Sequence, residues 1–304
     1  MGSTKPKEIK ERLSFFYPLI IIYQKNLNNF GVYFILIVCI LFLFPSCISQ
    51  NMVVKRANKI ARESSLQSIF IKTSTFKLKG YFRFTNFKKP LTVYIEGDGL
   101  AYLHRNMPST NPTPRNPLAL RLAGIDGSHN VLYLARPCQY VNFKRESLCK
   151  TAYWTQKRFS KEVIISVNEA IDKMLLKSML EGIHLVGYSG GGAVAALVAA
   201  SRRDVLSLRT IAGYMDHVSL NKRVGVSPLK GSLDPIKVAH KLKSIPQIHY
   251  SGKKDKVIPN WVAKKFSHYV GNNNCTFTRL TNATHSKGWQ KLWRKVWSRI
   301  PACR

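Results

Sequence analysis

Acidic side chains are what this chain has least of: 15 Asp and Glu stand against 48 Lys and Arg, a formal charge of +33. The excess is spread along the whole length, so there is no basic tail. A surface of one sign favours anionic partners such as phospholipid headgroups, acidic polysaccharide or nucleic acid. A blander source of the charge is a genome that favours Lys, Asn and Ile. No finger, RNP or helix-turn-helix pattern accompanies it, so nucleic acid is not expected as a partner. Also missing are a Cys/His cluster at metal-ligand spacing, a dinucleotide fingerprint and a P-loop, so no metal or cofactor is expected. Internal repeats and low-complexity tracts are absent too. What remains is a 304-residue chain, 45% hydrophobic and 11% aromatic, long enough for one sizeable core.

Two apolar runs open the chain. Leu13 to Tyr23 is broken by Pro18 and too short to span a bilayer, whereas Phe30 to Phe44 is unbroken. At about 15 residues the second lies between a signal-peptide core and a spanning helix. Lys5, Lys7, Lys10, Arg12 and Lys25 precede it, which puts the N-terminal side in the cytoplasm and predicts export of the rest. Phe44-Pro45-Ser46-Cys47-Ile48-Ser49 resembles a bacterial lipoprotein cleavage box, with Cys47 as the lipidation site; it departs from that pattern at Phe44 and Pro45. Three readings stay open: a lipoprotein signal, an uncleaved signal anchor, or a segment that is buried or artefactual. Either of the first two places the remainder in the cell envelope, tethered to a membrane on its periplasmic side. The chain is therefore divided into an anchor or signal segment (1–47), a polar basic tether (48–67) and a folded domain (68–304).

From Ser68 a regular alternation begins. Ile69 to Ile71, Phe76 to Leu78 and Tyr81 to Phe84 predict an antiparallel hairpin turning at Lys79-Gly80. Strands are expected at Leu91–Ile95 and His129–Ala135, and a helix over Arg158–Met179 with Val163, Val167, Ile171 and Met174 on one face. Strand and helix then alternate: Ile183–Val186, Ala193–Ala200, Leu208–Ala212, Ile245–Tyr250, Asn260–Tyr269, Thr276–Leu280 and Lys287–Ile300. The order implies an α/β fold, a mostly parallel central sheet with helices on both faces.

One strand runs into Gly187-Tyr188-Ser189-Gly190-Gly191 and then into an Ala-rich helix. A G-x-S-x-G turn between strand and helix strains the Ser backbone, and only Gly two residues either side lets the chain pass so closely. The hydroxyl is lifted out of the sheet, and the helix directs its first amides at a developing oxyanion. A Gly-rich turn capped by Ser189 is the reading without chemistry.

On this motif and its placement the chain resembles the α/β-hydrolase superfamily of serine hydrolases, from about Ser68 to the C-terminus. The resemblance implies a nucleophile, an acid and a His in that chain order. Gly252-Lys253-Lys254-Asp255-Lys256-Val257-Ile258-Pro259 is similar to the family's acid loop, which makes Asp255 the acid; Asp216 is the rival. His285, between the last strand and the last helix, takes the position of the base. The oxyanion hole is expected from the amide of Gly190 and that of Asp98 or Gly99, with Glu96 where the family usually has His. The Asp98 side chain is expected to bond loop amides and face away from the substrate. The other seven His are read as structural or exposed. The insert 136–156, with Tyr140, Tyr153 and Trp154, either lines the cleft or is an ordinary packed loop.

The resemblance implies hydrolysis of a small-molecule or lipid ester, thioester or amide through an acyl-enzyme on Ser189. Carboxylesterase or lipase-like, peptidase and acyltransferase chemistry all use these residues. A catalytically silent envelope binding or scaffold protein of the same fold is the rival reading. Export predicts two disulfides among Cys138, Cys149, Cys275 and Cys303. A helix after a parallel strand returns to the level where that strand began. That pairs Cys275 with Cys303 and leaves Cys138 to close on Cys149 within one loop. Four reduced thiols would mean a cytosolic enzyme.

Overall fold

The computed structural model describes residues 45–303, except 105, 144, 145, 181, 272 and 273, and side chains from Met52 onward. The apolar runs before residue 45 lie outside the described residues, as does the side chain of Cys47. Among the described residues no helix is long and apolar enough to cross a membrane. Residues 53–304 form one compact unit.

The described residues form ten strands: β1 (Gln67–Lys72), β2 (Lys77–Phe84), β3 (Leu91–Ile95), β4 (Tyr102–His104), β5 (Met107–Pro108), β6 (Asn130–Leu134), β7 (Ile183–Tyr188), β8 (Val205–Ile211), β9 (Gln247–Gly252) and β10 (Thr276–Thr281). The helices are α1 (Pro45–Glu63), α2 (Leu118–Ile125), α3 (Lys161–Ser178), α4 (Gly190–Ala199), α5 (His217–Val224), α6 (Asn260–Val270) and α7 (Trp289–Val296). Eight strands make one sheet in the order β1-β2-β6-β3-β7-β8-β9-β10, and β4 and β5 form a separate small ribbon. β1, β2 and β6 pair antiparallel, and every other neighbour pair in the large sheet is parallel. This is the mostly parallel sheet that the alternation of elements predicts.

Alternation within each strand feeds two cores. Leu91, Val93, Ile95, Leu132, Leu134 and Leu185 pack under α3, α4 and α6. Tyr94, Val131, Tyr133 and Val186 face the other way, among side chains of α1, α2 and α7. Side chains alternate across a strand with period two, so β3 and β6, buried at every position, read as mostly apolar runs, with Thr92 and Asn130 as the exceptions. Val163, Val167, Ile171 and Met174 are buried on one face of α3.

Two expectations need correction. The opening hairpin turns at 73–76, not at Lys79-Gly80: Gly80 lies inside β2, paired with Ile69 on one side and Leu134 on the other. The turn is closed by Thr73, whose amide donates to the Phe76 carbonyl at 2.8 Å and whose Oγ1 accepts from the Phe76 amide at 3.0 Å. The stretch read as a tether is folded from Val53 on. Ala57, Ile60 and Ala61 of α1, with Leu66 beyond it, are buried in the second core. A chain starting at Val53 should therefore fold cooperatively by circular dichroism. Leu66→Ala should cost about 2–5 kcal/mol in urea unfolding, because it removes buried methyl groups and leaves a cavity.

Both expected disulfides are present, Cys138–Cys149 and Cys275–Cys303, with Cα–Cα separations of 5.4 and 4.0 Å. Cys275 precedes β10 and Cys303 follows α7, so the second bond closes the strand–helix unit that carries His285. Cross-linking residues 28 apart restricts the unfolded chain, and Cys303→Ser should cost about 3–4 kcal/mol in reversible unfolding.

Candidate active site

Four loops converge at the carboxyl ends of parallel strands, where open α/β sheets hold their ligands. Glu96 to Gly99 follow β3, Ser189 follows β7, Asp255 follows β9 and His285 follows β10. Ser189 has φ 52° and ψ −121°, a conformation L residues rarely adopt. Glycine makes this turn possible by close approach. A Cβ on Gly187 would lie 2.3 Å from the Gly191 carbonyl oxygen, and one on Gly191 would lie 2.2 Å from that of Ile95. The Ser189 amide donates to Ile211 of β8 at 2.9 Å, and its carbonyl accepts from Gly192 and Tyr214. The elbow is thus tied to the sheet on one side and to α4 on the other.

His285 Nε2 lies 3.1 Å from Ser189 Oγ, and its Nδ1 lies 2.9 Å from Asp255 Oδ2. The other Asp255 oxygen accepts from the amides of Val257 and Ile258 at 2.8 and 2.9 Å. Burial pushes this carboxyl up. The hydrogen bond from His285, then the Ile258 amide, the His285 charge and the Val257 amide, more than offset burial and hold it below the usual carboxylate range. Its ionised form is therefore favoured, and an ionised acceptor keeps the Nδ1 proton in place and leaves Nε2 free to accept from Ser189. The His285 carbonyl accepts from Trp289 Nε1 at 2.8 Å and from the Tyr188 hydroxyl at 3.1 Å, which anchors the loop.

The rival acid is committed elsewhere. Asp216 is the N-cap of α5, accepting from the Ser219 amide at 2.9 Å, and its other oxygen accepts from Lys265 Nζ at 2.7 Å. The insert behaves as packed loop. Tyr140 and Trp154 are buried, and Trp154 Nε1 donates to the Ser109 carbonyl at 3.0 Å. The stretch 213–245 holds α5 and a 3₁₀ turn over Pro235–Leu242.

The expected setting of Asp98 was wrong. Its carboxylate bonds two guanidinium groups rather than loop amides: Arg136 Nη1 at 3.0 Å and Arg158 Nη1 at 2.7 Å. Nor does it turn away from the Ser189 elbow, since a Cβ on Gly190 would meet Asp98 Oδ1 at 2.0 Å. Burial alone would raise this carboxyl, but Arg158 and then Arg136 bring it below the usual range. Two more contacts fix the loop: Gln139 Nε2 donates to the Gly97 carbonyl at 3.0 Å, and Arg136 Nη2 donates to the Arg158 carbonyl. Arg136, Gln139 and Arg158 were not singled out from sequence. In a chain with 48 Lys and Arg no single cation stands out; a scarce carboxylate in a Gly-rich loop was the available signal.

Glu96 is buried. It accepts from the amides of Gly97 at 3.0 Å and Ala119 at 3.3 Å, the second at the start of α2, and from the Tyr133 hydroxyl at 3.2 Å. Burial raises its carboxyl from 4.5 to about 7 despite these bonds. The folded state then holds a proton that the unfolded state releases between pH 4.5 and about 7. Stability should fall as pH rises through that window and level off above it. Glu96→Gln should flatten the difference, worth roughly 3 kcal/mol, in urea midpoints compared at pH 4.5 and 8.

Ser189, His285, Glu96, Asp98, Tyr102, Arg115, Arg158 and Val257 are among the residues lining a cleft of about 440 Å³. Among the described residues no three His, Cys, Asp or Glu side chains gather as a metal-binding group.

Sheet order, elbow and the convergence of loops define an α/β-hydrolase fold. Solved structures of this fold align with most of the chain. An esterase from Pyrococcus furiosus, Pf2001, gives a TM-score of 0.56 at 15% identity, covering 78% of this chain and 91% of its own. Est1E from Butyrivibrio proteoclasticus gives 0.53 at 14%, covering 76% and 95%. The acylaminoacyl peptidase of Pyrococcus horikoshii gives 0.55 at 13%, covering 77% of this chain but 40% of its own. At such identities the likeness is one of fold. No protein-family model matches, and no curated protein matches either.

Proposed function

We propose that the protein is a serine hydrolase that cleaves an ester, thioester or amide through an acyl-enzyme on Ser189. The hydrogen-bonded line from Ser189 Oγ through His285 to Asp255 carries this reading. His285 takes the Ser189 proton as the hydroxyl attacks the carbonyl carbon. Asp255 stabilises the imidazolium, and His285 then returns the proton to the leaving group. Water deacylates the enzyme by the same steps. The amides of Gly190 and of Asp98 or Gly99 hold the oxyanion. The fold is shared with solved structures of esterases and an acylaminoacyl peptidase, which is compatible with acyl transfer. Carboxylesterase activity is the leading subtype.

The domain acts outside the cytoplasm, on the periplasmic side of a membrane, tethered through the N-terminal apolar run or a lipid on Cys47. Two disulfides fit an oxidising compartment. Turnover of 4-nitrophenyl esters of increasing chain length by wild type, and its loss in His285→Ala, tests the activity; equal turnover in a folded His285→Ala would reject it. Lipid-analogue labelling that disappears in Cys47→Ser decides between lipoprotein and signal anchor.

A further inference from the structure

Asp98 is one carboxylate facing two guanidinium groups, all three largely withdrawn from water: side-chain exposure is 16% for Asp98, 5% for Arg136 and 11% for Arg158. Burying a cation is costly unless its charge is met, and here the local balance is positive by one. The other buried carboxyl lining the cleft, Glu96, is turned to the amides of Gly97 and Ala119 and the Tyr133 hydroxyl. Arg115, exposed, adds a second cation to the same wall. The cleft thus carries two guanidinium groups, Arg158 and Arg115, beside the carboxyls of Asp98 and Glu96.

Arg158 also occupies a junction. Its Nε donates to the Thr155 carbonyl at 2.6 Å and its Nη1 to Asp98, which fixes the guanidinium plane. The group lies 5.7 Å from the centre of the Tyr102 ring. Arg158 and Tyr102 line the cleft that holds Ser189, and both also line a second cavity of about 840 Å³ walled by Thr155, Gln156, Tyr214 and Asn221. The Asp98 carboxylate touches both sides: Oδ2 accepts from Arg158 Nη1 at 2.7 Å, and a Cβ on Gly190, next to Ser189, would lie 2.0 Å from Oδ1. Nη2 makes no protein hydrogen bond among the described residues, which leaves a planar donor edge on a pre-aimed guanidinium.

We infer that the substrate carries an anionic group, a carboxylate, a few bonds from its scissile carbonyl, and that Arg158 is the side chain that receives it. The inference rests on Ser189 being the nucleophile. Asp98 holds the guanidinium in place while Arg136 balances Asp98, so the positive charge offered to the ligand is preserved. A plain lipase cleft would present apolar walls here; this junction presents a cation, an aromatic ring and amides.

The test pairs esters of like shape that differ in charge. On the acyl side these are 4-nitrophenyl hydrogen adipate and 4-nitrophenyl hexanoate, corrected for spontaneous hydrolysis. On the leaving-group side they are 3-(butyryloxy)benzoate and 3-methylphenyl butyrate. Wild type should favour the anionic member of at least one pair by about tenfold or more in kcat/KM, the size expected of a charge-assisted hydrogen bond. Arg158→Gln should bring that ratio to about one, whatever its absolute rate, and Arg158→Lys should retain part of it. The ratio should largely survive about 0.5 M salt; collapse there would assign it to the overall charge and overturn the role of Arg158. No preference in either pair, with Ser189 still reacting with a fluorophosphonate, overturns the inference alone, and this wild-type comparison stands even if Arg158→Gln fails to fold. Absence of both turnover and labelling rejects the hydrolase reading, and the inference with it.

Discussion

Ser189→Ala should lower ester turnover by at least about 10³-fold while leaving the fold intact. The variant keeps the cleft, the amides proposed to hold the oxyanion, and His285, so only the residual rate from binding and electrostatics should remain. Turnover measured beside a thermal unfolding curve separates loss of chemistry from loss of structure. Alanine at this position must still adopt φ near +52°, so a modest drop in stability is expected and does not bear on the assignment. A folded Ser189→Ala with wild-type turnover would remove Ser189 from the mechanism.

Asp255→Asn should cost about 10³- to 10⁴-fold in turnover. Its neutral amide can present a donor to His285, which favours the wrong tautomer and leaves the imidazolium without an ionic partner. Asp216→Asn should cost far less activity, because that side chain caps α5 and pairs with Lys265. Asn caps a helix about as well as Asp, so its signature should instead be a loss of stability of about 1 kcal/mol or less, from the lost charge pair with Lys265. The opposite ranking in activity would move the acid to the loop after β8.

Much of this site could be read from the order of residues because it depends on local rules. A Ser between glycines two positions away, bounded by an apolar strand and an Ala-rich helix, has few other uses, and the structure gives it the positive φ that such a turn requires. Asp255 and His285 are legible as candidates from their place along the chain, each after a strand, and the structure joins them by a hydrogen bond. The network under Asp98 was not legible: Arg136 and Arg158 reach it from 38 and 60 residues away, and periodicity carries no record of which cation meets which carboxylate.

Misreadings of the fold have similarly local causes. Lys79-Gly80 reads as a turn because glycine usually breaks a strand, whereas Gly80 sits mid-strand between β1 and β6. α2 escaped notice because Leu118, Ala119, Leu120, Leu122 and Ala123 are all buried, so the segment has no polar face to reveal its period. α1 looked like a tether because its many Lys and Arg hide the few small and apolar residues, Ala57, Ile60 and Ala61, that pack.

The central claim is that the Ser189 hydroxyl is activated by His285. It is tested most directly by treating the wild-type protein with a fluorophosphonate and mapping the adduct by peptide mass spectrometry. The account predicts one phosphonylated residue, Ser189, formed far more slowly in His285→Ala. A folded wild-type protein that gains no adduct, or gains it on another serine, would contradict it.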